Sequence, residues 1–129
     1  MRRRYDHIDL RVASLAGVRR FYETLLPAVG FTRRVDIDGW LQFETVESEG
    51  PPEFFGITES ALHQANGCRI AFWAESTAEV DRLAEIARSV GARAVEGPDY
   101  SEGRGYYAVF FEDPDGNRLE ICHRETGAR

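Results

Sequence analysis

The feature that most restricts what this chain can become is that its pattern runs twice. From His7 to Gly30, a strand-like alternation, a serine-opened helix and a terminal glycine follow one another over 23 positions; from Arg69 to Gly91 the same series takes 22. Each copy continues into turn-rich, strand-like segments, giving a repeating unit of roughly 60 residues. A unit that small cannot cover its own sheet, so the duplication predicts two packed supersecondary modules rather than an irregular globule.

In the first copy Ile8, Leu10 and Val12 alternate with His7, Asp9 and Arg11, the period of a half-buried strand. Ser14 can cap a helix carrying Val18, Phe21, Tyr22, Leu25 and Leu26 at helical spacing, with Pro27 and Gly30 at its end. Asp38-Gly39 between residues 33–37 and 40–44 predicts a hairpin. Residues 53–57 read as a further short strand, expected at a sheet edge because Pro51 and Pro52 precede it.

In the second copy Cys68, Ile70 and Phe72 alternate with Arg69, Ala71 and Trp73, and Ser76 with Glu79 forms a capping box. Val80, Leu83, Ile86, Ala87 and Val90 give the helix its apolar face. Residues 97–105 read as a glycine-containing loop suited to a lid, and Asp113-Pro114-Asp115-Gly116 joins two strands over residues 106–111 and 117–122.

The length of 129 residues suits one domain over residues 1–129, with modules at about 5–60 and 67–124. The formal net charge of −6 and the dispersed arginines argue against a nucleic-acid partner. The basic start meets Tyr5-Asp6-His7 where a signal peptide needs an apolar run, and no window suits a bilayer span, so a cytoplasmic protein without membrane contact is expected. Cys68 and Cys122, both inside strand-like runs, are expected to be reduced and buried.

If helices cover the apolar strand faces, the opposite faces carry His7, Arg69 and Glu120 on three strands. Imidazole and carboxylate on rigid strands are what a metal site or a general acid-base site requires. Spacing alone does not choose between these uses and solvated strand residues. Trp73 shares the face of Arg69 and is expected to line a pocket with it. Tyr107 is a second pocket candidate, although it has the parity of Val109 and Phe111 and so also fits a core tyrosine with a bonded hydroxyl. His63 and His123 are expected at the surface.

Residues 5–12, Phe21-Tyr22-Glu23-Thr24-Leu25-Leu26, Gly30-Phe31, Arg69-Ile70-Ala71-Phe72 and the closing Asp113-Pro114-Asp115-Gly116-Asn117-Arg118-Leu119-Glu120 resemble the vicinal-oxygen-chelate superfamily. Its members include glyoxalases, bleomycin-resistance proteins and extradiol dioxygenases. The resemblance covers nearly the whole chain and implies an α+β fold, in which two βαβββ modules pair into a curled mixed sheet around a cleft. It further implies a homodimer and a divalent metal, iron, manganese, nickel or zinc, that binds adjacent oxygens of a small molecule.

By the same resemblance His7 and Glu120 match metal ligands, whereas Arg69 stands where metal-dependent members place another histidine. A guanidinium stays protonated and offers no lone pair to a metal. Two outcomes therefore stay open. In one, His7 and Glu120 keep a metal with help from Glu53, Tyr107 or water, and the chain is a lyase, isomerase or dioxygenase in which Glu120 and Arg69 are catalytic. In the other, Arg69 pairs with Glu120, replaces the metal and anchors an anionic ligand beside Trp73 and Tyr107, as in a drug-sequestering protein.

Overall fold

The computed structural model describes residues 3–46, 49–100 and 105–125. They form two compact units, Met1–Gln64 and Ala65–Arg129. Each is a βαβββ module, and the architecture is α+β.

The first unit contains β1 (His7–Val12), α1 (Leu15–Ala28), β2 (Arg33–Ile37), β3 (Trp40–Glu44) and β4 (Phe54–Glu59). Its sheet has the order β1-β4-β3-β2, with β1 and β4 parallel and the other pairs antiparallel. The Ser14 side chain accepts from the Gly17 N–H, and Glu59 at the end of β4 accepts from the Leu15 N–H at 2.8 Å, so the helix start is tied to the sheet. Phe21, Tyr22, Leu25 and Leu26 of α1 are buried with Leu41, Phe43, Phe55 and Ile57 of the sheet. Each such side chain contributes about 1.5–3 kcal/mol through removal from water.

β4 is central, not at an edge. Pro51 and Pro52 precede its first paired residue, Phe54, so neither removes a donor from the ladder on either side. The outer strands of this sheet are β1 and β2, and on β2 the exposed Arg33, Arg34 and Asp36 discourage pairing with another chain. Asp38 and Gly39 join β2 to β3, with Gly39 at φ +82°, a region open to a residue without a Cβ.

The second unit contains β5 (Arg69–Trp73), α2 (Thr77–Ser89), β6 (Arg93–Tyr100), β7 (Tyr106–Glu112) and β8 (Arg118–Arg124), with sheet order β5-β8-β7-β6. Ser76 accepts from the Glu79 N–H while the Glu79 carboxylate accepts from the Glu75 N–H, a reciprocal cap at the start of α2. Val80, Leu83, Ala84 and Ala87 of α2 are buried with Val109, Phe111, Leu119 and Ile121 of the sheet.

The segment read as the start of a loop at residue 97 belongs to β6 up to Tyr100. Its pairing to β7 slips twice, between Arg93 and Glu96 and between Glu96 and Asp99, and those irregularities erase the period-2 signal. Gly97 is required there: at φ +94° a Cβ would lie 2.8 Å from the Ala108 carbonyl oxygen. Residues 101–104 of the expected lid lie outside the described residues.

The β7–β8 turn is organised by Asp113, which is 0% exposed. One carboxylate oxygen accepts the N–H groups of Asp115 and Asn117, at 2.8 and 2.9 Å, and the other accepts from the Asn117 side-chain amide at 2.9 Å. The Asp-Pro-Asp-Gly-Asn run is thus a self-contained turn that sets the register of β8, and with it the position of Glu120.

Candidate active site

Residues opposite one another in a sheet point to the same side, so the registers define which side chains share the face away from each helix. In the first unit that face carries His7, Asp9 and Arg11 beside Phe54, Gly56 and Thr58, then Trp40, Gln42 and Glu44. Its polar groups engage one another. His7 Nδ1 meets Asp6 at 2.7 Å, Arg11 donates to Asp9 at 3.2 Å, Thr58 donates to Asp9 at 3.0 Å, and Gln42 and Arg33 both donate to Glu44. The His7 ring stacks on Phe54 at 4.3 Å. A notch of about 60 Å³ bordered by His7, Trp40 and Phe54 has room for little more than water.

In the second unit the corresponding face carries Arg69, Ala71 and Trp73 beside Arg118, Glu120 and Cys122, then Glu112, Phe110, Ala108 and Tyr106. Glu120 is only 5% exposed. Its carboxylate accepts a hydrogen bond from the Tyr106 hydroxyl. Burial first, and then that bond, push the Tyr106 phenol well above its ordinary range, so the proton stays on the tyrosine. Burial and the neighbouring Glu120 charge likewise push the Cys122 thiol up, away from the thiolate form.

Arg69 and Glu120 share this face without pairing. The Arg69 guanidinium lies over the Phe110 ring, 4.9 Å from its centroid, and its partner in register is Arg118. Glu120 has Ala71 and Phe110 as its lateral neighbours and accepts a hydrogen bond from the Tyr106 hydroxyl. The ion pair expected from sequence is therefore replaced by two separate contacts. A cavity of about 390 Å³ opens at the Arg69 end, lined by Arg69, Glu96, Phe110, Glu112 and Arg118 among others.

Trp73 is on the face of Arg69, 50% exposed, with its ring 5.2 Å from that of His123. Tyr107 is on the helix-covered side, where its hydroxyl donates to Asp81 of α2 at 2.7 Å. That bond pushes its phenol up to about 12. His123, expected beyond the last strand, is in β8 and half-buried, and its Nδ1 is 2.8 Å from the Ala74 carbonyl oxygen. Glu53 precedes β4, and its carbonyl oxygen accepts from Thr45. His7 belongs to the first unit, and Arg69 and Glu120 belong to the second. Cys68, expected to be buried, is exposed just before β5, whereas Cys122 is buried.

Sequence reasoning passed over three residues of the second face: Tyr106, Phe110 and Arg118. The signal was strand parity. Once Glu120 is placed on a face, Arg118 two residues earlier shares it, and the hairpin register adds Phe110 and Tyr106.

The profile of the glyoxalase/bleomycin resistance protein/dioxygenase superfamily matches residues 4–121. The chain belongs to that superfamily. Among curated proteins, the uncharacterized protein YqjT of Bacillus subtilis (strain 168) is 28% identical over 127 residues, covering 89% of this chain and 94% of that protein. A glyoxalase/bleomycin resistance protein from Albidiferax ferrireducens T118 superposes with a TM-score of 0.76 at 25% identity, over 94% of this chain and 98% of its own. The fosfomycin resistance protein FosX from Listeria monocytogenes, solved with Mn(II) and sulfate, gives 0.69 at 19% identity, over 98% and 94%.

At a position where the superfamily resemblance implies a metal ligand stands Arg69, a permanent cation without a lone pair, and one Glu120 oxygen accepts a hydrogen bond from the Tyr106 hydroxyl. Among the described residues, no three of His, Cys, Asp and Glu gather in a metal-holding group.

Proposed function

We propose that this superfamily member binds and sequesters a small molecule without a metal, using the open face of the second sheet. The observation that carries the reading is Arg69. Its guanidinium is fixed on Phe110 at the position where the superfamily resemblance places a metal ligand, and its edge donors point to no carboxylate among the described residues. A stacked guanidinium keeps its in-plane N–H groups for a ligand, and the adjoining cavity of about 390 Å³ falls in the range of small-molecule sites. Trp73 adds an exposed aromatic surface on the same face. The Tyr106–Glu120 pair, with its proton held on the phenol, serves as a polar wall rather than as a metal ligand.

The same reading takes the protein as a cytoplasmic homodimer, as the superfamily resemblance implies; light scattering at micromolar concentration tests the dimer. Among the described residues, no helix is long and apolar enough to cross a membrane.

Metal content of untagged protein, with thermal shifts on adding manganese, iron(II), nickel or zinc, tests the central claim. The expected result is substoichiometric metal, with shifts no larger in the wild type than in Glu120→Gln. Stoichiometric metal, or stabilisation lost in Glu120→Gln, would overturn the reading in favour of an enzyme of the lyase or dioxygenase kind holding metal through His7 and Glu120. Arg69→His should then gain metal affinity without a change of fold.

A further inference from the structure

Arg69 and Arg118 face each other in register on the parallel pair β5 and β8, and both line the cavity on the open face. Like charges directly opposite one another on a sheet repel, so such a pair needs a counter-charge nearby. Two acids line the cavity, Glu96 and Glu112, and Glu112 stands opposite Arg118 in register on β7, but neither comes within ion-pair distance of Arg69 or Arg118. Glu112 meets Arg93 at 3.6 Å, and no carboxylate of the described residues pairs with either Arg69 or Arg118. Glu96 lines the same cavity and stays outside any ion pair among the described residues.

We propose that Arg69 and Arg118 form a two-guanidinium cradle for a small organic dianion, a specificity that rests on the metal-free reading above and extends it to a ligand class. Phe110 holds the Arg69 guanidinium by its face, leaving the edge donors for bidentate contact with an anionic group. Arg118 supplies the second set from the neighbouring strand. A ligand with two negative charges neutralises both cations, whereas a monoanion leaves one unsatisfied. Glu96 on the far wall disfavours a bare anion and favours one carrying a hydroxyl or amino donor on that side. The two negative charges can come from one tetrahedral group or from two carboxylates, and both present the same chemistry to the cradle.

Calorimetric titration of the full-length chain with phenyl phosphate, phthalate, benzoate and benzamide tests this. Both or either dianion should bind about tenfold or more tightly than benzoate, with benzamide silent and affinity falling as salt rises. Phenyl phosphate against phthalate tells the tetrahedral source from the paired-carboxylate source. Arg118→Gln should reduce dianion binding to the benzoate level while the ligand-free protein melts at the same temperature or slightly higher, because the like-charge pair is relieved. A residue of merely structural importance would lower that melting temperature. Arg118→Lys, which keeps the charge but not the fork, should fall between the two. Glu96→Gln should strengthen binding of both dianions, neither of which carries a donor.

Dianions that bind no better than benzoate overturn the proposal, as does an unchanged preference in Arg118→Gln or the absence of saturable binding at millimolar concentration. Its failure is distinct from failure of the metal-free reading. Benzoate binding that depends on Arg69, with no dianion preference, leaves that reading intact and removes the cradle. Stoichiometric metal lost in Glu120→Gln removes that reading whatever the preference turns out to be.

Discussion

The two modules have one topology and opposite ways of handling charge. On the open face of the first sheet, His7, Asp9, Arg11, Arg33, Gln42, Glu44 and Thr58 engage partners within their own module. On the second, Arg69 and Arg118 form no ion pair among the described residues, although Glu112 stands opposite Arg118, while Glu120 is buried against a phenol. Helix-facing positions are constrained alike in both copies, since each must bury leucine, isoleucine, valine and phenylalanine. The opposite face carries no such requirement, and there the copies differ: one face pairs its charges within the module, and the other holds two guanidiniums outside any ion pair among the described residues.

The turns that aim those faces differ as well, and that difference should give the largest effect. Asp113 buries a carboxylate holding three donors, whereas Asp38 occupies an exposed two-residue turn. Asp113→Ala would orphan the Asp115 and Asn117 N–H groups and the Asn117 amide, a loss of about 2–4 kcal/mol. Asp38→Ala should stay within about 0.5 kcal/mol. Urea unfolding of both variants checks this; equal losses would mean that the second turn is no more demanding than the first.

A smaller contrast concerns the faces themselves. Tyr106→Phe leaves the buried Glu120 carboxylate without its phenol donor and should lower stability by about 1–3 kcal/mol. Thr58→Val removes a hydroxyl that donates to the half-exposed Asp9, where water can substitute, and should change it by less than about 0.5 kcal/mol. Similar losses in the two variants would erase the distinction between a wetted first face and a buried second one.

Much of this was legible in the residues. The period-2 runs of β1 and β5, the serine caps of α1 and α2 and the Asp-Gly and Asp-Pro-Asp-Gly turns are local signals, and local chemistry forms them. β6 was not legible, because two slips in its pairing break the alternation on which strand reading depends. β4 was placed at an edge because proline before a strand and proline within one look alike until pairing is known. Within the site, Arg69, Glu120 and Trp73 share a face as parity implies, while Tyr107 follows its own parity to the helix side and Tyr106 takes the place beside Glu120. Arg69 parted from Glu120 because a ring and a phenol competed for them, and both competitors reach the site through hairpin register, which no single strand reveals.

The smallest expected effect is a pH dependence traceable to three tyrosines of the second module. Tyr100, Tyr106 and Tyr107 donate to Glu125, Glu120 and Asp81. All three phenols are pushed up, Tyr107 to about 12 by its bond to Asp81. In the unfolded chain a tyrosine loses its proton near pH ~10, whereas in the folded protein these keep theirs. Their contribution to stability is therefore complete below pH ~10 and is lost as pH climbs through the folded values. Melting temperature should begin to fall above pH ~10. Tyr107→Phe should melt lower at pH ~8 yet lose roughly 2 °C less between pH ~9.5 and ~11.5. A slope unchanged by Tyr107→Phe would mean that solvent screens the Asp81 bond, leaving Tyr100 and the part-buried Tyr106 as the raised phenols behind the alkaline loss.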